Sequence, residues 1–267
     1  GYMVEWRVIN AADYGMPQRR RRVYIMAYHE DSNFEIKNLK DWCLDEGVFA
    51  KTFPIDPMDN CKKFDIPKDP RTITEKFGGG KFFNAGAMRN GKVWMCDFKV
   101  DCKEHEYSKY SKNYRTLGDV LKKNVNGELD AFRIDEKKKL KEPLFKIQKE
   151  GFSIDSRLPQ DGNTVILQTE IHKWIYLKGK KAEARKSIKG LFYYTEGPLS
   201  LTDSREKPSR TIITSEGGPG ASRSKHLIKD EKGYRRLMPV ELERLNMFPD
   251  NHTKLGRSSD GKDFTVT

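Results

Sequence analysis

The sequence predicts a mixed α/β chain, and three stretches carry that prediction. Residues 4–10 and 23–27 are strand-like apolar runs separated by a turn. Residues 164–169, Thr-Val-Ile-Leu-Gln-Thr, form a β-branched run of strand length. Residues 239–248 place Leu242, Leu245 and Met247 or Phe248 at helical spacing behind a proline.

In the first run Val4, Trp6 and Val8 share one side. Gly15 and Pro17 then break the pattern, so Arg19, Arg20, Arg21 and Arg22 enter the second strand from a loop. On that strand Arg20 and Arg22 would share a face, with Arg19 and Arg21 on the other. A guanidinium is permanently charged and offers a rigid fork of donors, suited to a phosphate or a base edge. A solvated basic edge strand is the alternative reading.

Residues 29–114 show little periodicity and are punctuated by Pro54, Pro57, Pro67 and Pro70, then Gly78-Gly79-Gly80. Residues 81–84 and 92–96 are short strand candidates around an Asn90-Gly91 turn. The glycine run is no phosphate loop, because Phe82 rather than Ser or Thr follows Lys81. Tyr107, Tyr110 and Tyr114 lie among His105, Lys109 and Lys112, a mixture that either contacts nucleic acid or packs.

Thr116 is placed to cap a short helix over 117–121. Residues 173–177, Lys-Trp-Ile-Tyr-Leu, read as a further strand, and residues 191–195 as another. Between Lys173 and Lys189 seven basic residues face one acid, Glu183. Lys180, Lys181 and Arg185 are the candidates there for phosphate contact, which adds salt-dependent affinity without sequence information. Arg210, Thr211, Thr214 and Ser215 lead into Gly217-Gly218, and Ser222, Arg223, Ser224, Lys225 and His226 follow. Such a loop could enter a groove, where arginine and hydroxyl donors read base edges, or serve as a connector.

The formal charge of +12, from 51 basic and 39 acidic residues, favours a polyanionic partner. No apolar run is long enough to span a bilayer, and no metal-ligand spacing is present. Cys43, Cys61, Cys96 and Cys102 are widely and irregularly spaced, which reads as reduced thiols and a cytoplasmic location, near the nucleoid in a bacterium. The chain opens directly into strand-like sequence and stops as another extended run begins, so both ends are expected to continue into something larger.

Gly15-x-Pro17-Gln18-x-Arg20-x-Arg22-Val23 resembles conserved block VIII of the DNA cytosine-5 methyltransferases. Residues 235–250, from Arg235-Arg236-Leu237-Met238-Pro239 to Met247-Phe248-Pro249-Asp250, resemble their block IX. Arg115-Thr116-Leu117-Gly118-Asp119 and Pro208-Ser209-Arg210-Thr211-Ile212 fit the variable region between those blocks. The resemblance implies a doubly wound α/β domain that binds S-adenosylmethionine, facing a smaller, irregular, mainly β target-recognition domain across duplex DNA. Residues 1–30 would be late strands of the catalytic domain. Residues 31–232 would be the recognition domain, with an inserted segment near 31–114, and 233–267 the return to the catalytic domain. It also implies that Arg22 contacts the flipped cytosine, that Arg20 holds the site and nearby backbone, and that Gln18 supports the strand. Met238 stands where the family has threonine, a loss of about 1 kcal/mol of helix capping if nothing replaces it.

The family attacks C6 of cytosine with a thiolate from Pro-Cys, assisted by Glu-Asn-Val, beside a Phe-x-Gly-x-Gly cofactor loop. None of these occurs here: the four cysteines follow Trp42, Asn60, Met95 and Asp101. The expectation is therefore one part of a methyltransferase of the restriction–modification kind, inactive alone, that works with duplex DNA and a missing N-terminal catalytic portion, in the same polypeptide or as a separate subunit. S-adenosylmethionine would serve the complete enzyme and not bind this piece. A non-catalytic, sequence-specific DNA-binding module on the same scaffold is the alternative, and an RNA-binding protein a further rival.

Overall fold

The computed structural model describes residues 1–72, 82–100, 114–123 and 127–265. The glycine run 78–80, Lys81, Cys102 and the Tyr107 and Tyr110 stretch lie outside the described residues. Two compact units divide between Arg115 and Thr116. The strand at 85–89 pairs with residues 4–7 and with the strand at 92–96, and helix 239–245 is bonded to the 120–122 segment.

In unit 1, β1 (Tyr2–Asn10) and β2 (Arg21–His29) pair antiparallel from Tyr2↔His29 to Asn10↔Arg21. A 3-10 turn, Ala11–Tyr14, connects them and ends on Gly15 at φ 83°, a left-handed conformation open to glycine. Helix α1 (Leu39–Asp41) runs into a π-helical turn, Trp42–Glu46, followed by α2 (Val48–Thr52). The short β3 (Asp56–Pro57) pairs with β7 (Phe98–Lys99). Strands β4 (Lys62–Asp65), β5 (Ala85–Arg89) and β6 (Lys92–Cys96) complete a sheet in the order β2-β1-β5-β6-β4. The hairpin at Asn90-Gly91 thus begins from residues 85–89, not 81–84.

The buried face of β1 is Met3, Glu5, Arg7 and Ile9, while Val4, Trp6 and Val8 are only half-buried. Arg7 explains the choice. Its guanidinium donates to the carbonyls of Phe49 (2.9 Å), Phe53 (2.6 Å) and Cys43, tying the irregular 42–53 segment to the sheet. Glu5 accepts from the Tyr28 hydroxyl beside it. Around this pair Met3, Tyr28, Trp42, Cys43, Ala87, Trp94 and Cys96 form the core.

Cys61 and Cys96 form a disulfide, so the reduced state expected of all four thiols does not hold for this pair. The β4–β6 register pairs Lys62 with Met95 and so sets the preceding Cys61 against Cys96. Sequence spacing carries no trace of that.

In unit 2, α3 (Leu117–Val120) is capped by Thr116, whose hydroxyl accepts from the Asp119 amide while the Asp119 carboxylate accepts from the Thr116 amide. Strands β8 (Lys139–Ile147), β9 (Gln160–Asp161) and β10 (Thr164–Thr169) form a sheet ordered β8-β10-β9. Residues 170–178 are helix α4 (Glu170–Lys178), not the strand that 173–177 suggested. The Thr169 hydroxyl caps it, and Ile171, Trp174, Ile175 and Lys178 are buried at helical spacing. Ile171, Trp174 and Ile175 pack with Leu158, Val165, Leu167 and Leu227. Hairpin β11 (Lys181–Ser187) and β12 (Gly190–Glu196) follows. The β-branched run at 211–214 forms no strand.

Strands β13 (Ile228–Asp230) and β14 (Gly233–Arg235) then lead into helix α5 (Pro239–Leu245), and β15 (Leu255–Arg257) pairs with β16 (Asp263–Thr265). Met238 supplies no side-chain cap, and the expected loss is offset locally. Glu241 accepts from the Met238 amide (2.9 Å), the Lys122 amide (2.8 Å) and two Arg235 nitrogens (2.8 Å each).

The chain is therefore mixed α/β. Every strand pairing among the described residues is antiparallel, so they do not include the parallel neighbours of a doubly wound sheet. No helix among them is long and apolar enough to cross a membrane.

Gly86 lies directly under the Trp6 ring, where an added Cβ would come within 2.3 Å of the ring and 2.8 Å of the Trp94 carbonyl. Gly86→Ala is expected to destabilise unit 1 by about 1–3 kcal/mol, read as a lower urea midpoint. An unchanged midpoint would contradict the packing described here.

Candidate nucleic-acid interface

The first group of candidate residues sits at the start of β2. Gln18 is buried, whereas Arg20 and Arg22 are exposed. The Arg20 backbone is held on both sides: its amide donates to the Gln18 carbonyl (2.9 Å), and its carbonyl accepts from the Ala11 amide (3.1 Å). Arg21 reaches Asn84 (2.8 Å), and Arg22 folds back on the Arg21 carbonyl (2.7 Å). Guanidinium groups thus stand in solvent on a backbone that is itself fixed. On the opposite face of β2 from Arg22, Val23 and Ile25 are 59% and 71% exposed beside half-buried Val4, Trp6 and Val8.

The second group lies in unit 2, around the 211–224 loop. Its cations point inward. Arg210 grips the Asp203 carboxylate through Nε (2.7 Å) and Nη2 (3.2 Å), and also donates to the Ser224 (3.0 Å) and Lys225 (3.1 Å) carbonyls. Lys225 is buried and donates to the Gly218 and Gly220 carbonyls, both at 2.9 Å. Arg223 donates to the carbonyls of Leu177 (3.2 Å) and Gly197 (2.7 Å). His226, expected to be a surface donor, is fully buried and meets the Glu216 carboxylate through both its amide (2.6 Å) and Nδ1 (3.0 Å). Facing outward are Thr214 and Ser215, both exposed, while Thr211 is half-buried.

On the hairpin, Lys181 is buried against Glu196 and the Leu177 carbonyl. Lys180 is exposed with its ammonium over the Phe152 ring, and Arg185 stacks 3.8 Å above Tyr194. Residues 184–195 contain Arg185, Lys186 and Lys189 and no acid, with Ile188 fully exposed at the turn. This hairpin end has the charge to meet a phosphate backbone.

Lys178, Asp203 and Glu216 form ionic contacts that the sequence does not single out, because nothing in local spacing marks an ion pair inside the fold. Lys178 is 1% exposed, with its ammonium 3.6 Å from Asp203. Burial pulls the Lys178 ammonium down to about 8, with Asp203 opposing. Burial also works against Asp203 ionising, but the Arg210 donors and the His226 and Lys178 charges hold its carboxyl below the usual range.

The cysteines give no activated nucleophile among the described residues. Burial pushes the Cys43 thiol up to about 12, and Cys61 and Cys96 are joined. No group of side chains there could hold a metal ion. Nor does any glycine-rich turn lead from a strand into a helix there, the feature that receives a nucleoside-bearing cofactor in doubly wound domains.

Because Asp203 has a depressed pKa in the fold, its stabilisation is complete above its unfolded value near 3.8 and is lost as pH falls. Asp203→Asn is expected to cost about 3 kcal/mol at pH 7 by stranding Arg210 and Lys178. It should also reduce the loss of stability between pH 7 and pH 3. Urea titrations at both pH values check this, and equal midpoints for the two proteins at pH 7 would contradict it.

The family model for C-5 cytosine-specific DNA methylases matches residues 1–264. The chain is 36% identical over 263 residues to the type II methyltransferase M.Sau3AI of Staphylococcus aureus, covering 95% of this chain and 52% of that protein. It is 54% identical over 37 residues to the type II methyltransferase M.MthTI of Methanothermobacter thermautotrophicus, covering 14% of this chain and 11% of that protein. The chain thus spans about half the length of the first relative and a short part of the second. No solved structure gives a significant match. On the match across almost its whole length, the chain belongs to the C-5 cytosine-specific DNA methylase family.

Proposed function

We propose that this chain is the target-reading part of a DNA cytosine-5 methyltransferase that methylates a cytosine flipped from duplex DNA. The attacking thiolate and the S-adenosylmethionine loop would come from a catalytic portion outside these residues. The observation that carries the reading is family membership over residues 1–264 in a chain whose described thiols are either bonded or deeply buried. The exposed apolar face of β2 supports it, because Val23 and Ile25 would be covered by the catalytic portion. In this reading residues 1–30 and 233–267 belong with that portion, and 31–232 form the recognition domain.

The chemistry sets each role. C5 of cytosine becomes nucleophilic only after a thiolate adds at C6, and neither atom is reachable while the base is stacked. S-adenosylmethionine, bound elsewhere in the complete enzyme, supplies the methyl group. Arg22 would hold the flipped cytosine, and Arg20 the adjoining phosphate, as permanently charged forks on a fixed strand start. Gln18, buried behind them, supports that start. Thr211, Thr214 and Ser215 face the bases. Lys180 and Arg185 meet the backbone, while Lys181, Arg223 and Lys225 hold the protein's own carbonyls.

The 267-residue chain, incubated with duplex DNA and methyl-labelled S-adenosylmethionine, is expected to leave the DNA unlabelled. Adding the catalytic portion should produce label, and label from the chain alone would contradict the division of parts. In the intact polypeptide, Arg22→Ala is expected to slow methyl transfer roughly a hundredfold while duplex affinity changes far less. Wild-type rates in that variant would remove Arg22 from the site. A chain that binds its duplex selectively, yet gives no transfer with the catalytic portion present, is a stand-alone DNA-binding module instead.

A further inference from the structure

The basic side chains on and beside the 211–224 loop are the natural candidates for DNA contact, yet Arg210, Arg223 and Lys225 are bonded to the protein's own carbonyls. Arg210 makes four hydrogen bonds, two to Asp203 and one each to the Ser224 and Lys225 carbonyls. Asp203 in turn accepts from the Leu227 amide (3.1 Å), and its own amide donates to the Leu227 carbonyl (2.9 Å). One carboxylate therefore fixes the start of the loop, through Arg210, against its end at Leu227. Lys178, from the last turn of α4, approaches the same carboxylate from the protein interior. Further along, Lys225 holds the Gly218 and Gly220 carbonyls, Arg236 reaches those of Gly217 and Gly218 (3.2 Å each), and Glu216 is clamped by His226.

Glycine-rich backbone has many conformations to lose, so holding it in one before binding removes an ordering cost from recognition. Among the described residues the side chains left exposed by this bonding are Thr214, Ser215 and Pro219. The Thr214 and Ser215 hydroxyls have no protein partner there, and each can donate to or accept from a base edge.

We propose that Arg210 is a positioning residue: with Asp203 and Lys178 it locks the 211–224 loop so that Thr214 and Ser215 are the hydroxyls offered to the bases. This rests on the DNA-reading function proposed above. It separates two roles that the sequence merges, since a guanidinium on DNA contributes charge neutralisation, whereas a guanidinium on Asp203 contributes shape. Arg210 therefore governs which duplex is bound, and does not add to the count of phosphate contacts.

The test uses the intact polypeptide, a labelled duplex that the wild type methylates, and a scrambled duplex of the same composition. Affinity for each is measured across a salt series for wild type, Arg210→Gln and Asp203→Asn. Both variants are expected to lose roughly tenfold or more of the preference for the methylated sequence. Their slopes of log affinity against log salt on the scrambled duplex should match wild type. A slope smaller by about 0.9 in Arg210→Gln alone would mean a lost phosphate contact and would overturn the assignment. Full preference in Asp203→Asn would overturn it too. If either variant fails to fold, hydrogen exchange on the DNA-free wild type decides. The His226 and Leu227 amides, which donate to the Glu216 and Asp203 carboxylates, should be strongly protected, and exchange at unprotected rates would overturn a preformed loop. A wild type with no preference between the duplexes would instead overturn the DNA-reading function itself, before any variant is compared.

Discussion

A backbone carbonyl taken out of water must meet a donor, and in both units long cationic side chains supply that donor where helix and sheet do not. In unit 1 the irregular 42–53 segment has carbonyls at Cys43, Phe49 and Phe53 that all converge on Arg7. In unit 2 the glycine-rich loop has carbonyls at Gly217, Gly218 and Gly220 that converge on Lys225 and Arg236. A fixed guanidinium fork suits this task because one planar group can serve several acceptors. Carboxylates act on these cations inside the fold: Glu5 on Arg7, and Glu216 on Lys225.

This constraint changes what a charge of +12 means. Composition alone assigns every lysine and arginine to a possible polyanion. The structure divides them into an inward set, including Arg7, Lys178, Lys225 and Arg235, and an outward set, including Arg20, Arg22, Arg185, Lys186 and Lys189. The outward set gathers at the start of β2 and at the β11–β12 hairpin end. The two sets match the division of labour proposed for the chain: exposed cations for the phosphate backbone, buried cations for the shape of the reading loop.

Local chemistry is legible in the sequence where a single residue decides it. The Asn90-Gly91 turn, the Thr116 cap, the β10 run and the Pro239 helix start all lie where their residue types place them. Helix α4 reads as a strand because Trp174, Ile175 and Tyr176 favour strands one by one. The longer pattern of Ile171, Trp174, Ile175 and Lys178 behind a Thr169 cap is the signal that corrects this. The buried face of β1 is deceptive for a related reason. Val4, Trp6 and Val8 look like a core stripe, but Glu5 and Arg7 go inside because of partners about 40 residues from Arg7. The disulfide and the Asp203 pairings are likewise long-range, and no local periodicity encodes them. The family blocks around Arg20 to Arg22 and Pro239 are legible as residue patterns; the inward turn of Arg210, Lys225 and His226 is not.

In the proposed function this chain directs cytosine-5 methylation to one DNA sequence. Bisulfite sequencing of plasmid DNA from cells expressing the intact polypeptide tests it most directly, since every cytosine is scored whatever the target sequence is. The proposed function predicts protected cytosines at a single position within one short recurring sequence. It also predicts that replacing both Thr214 and Ser215 with alanine blurs or abolishes that sequence while the protein stays folded. Protected cytosines scattered without a common sequence, or none at all in cells that make soluble protein, would contradict it.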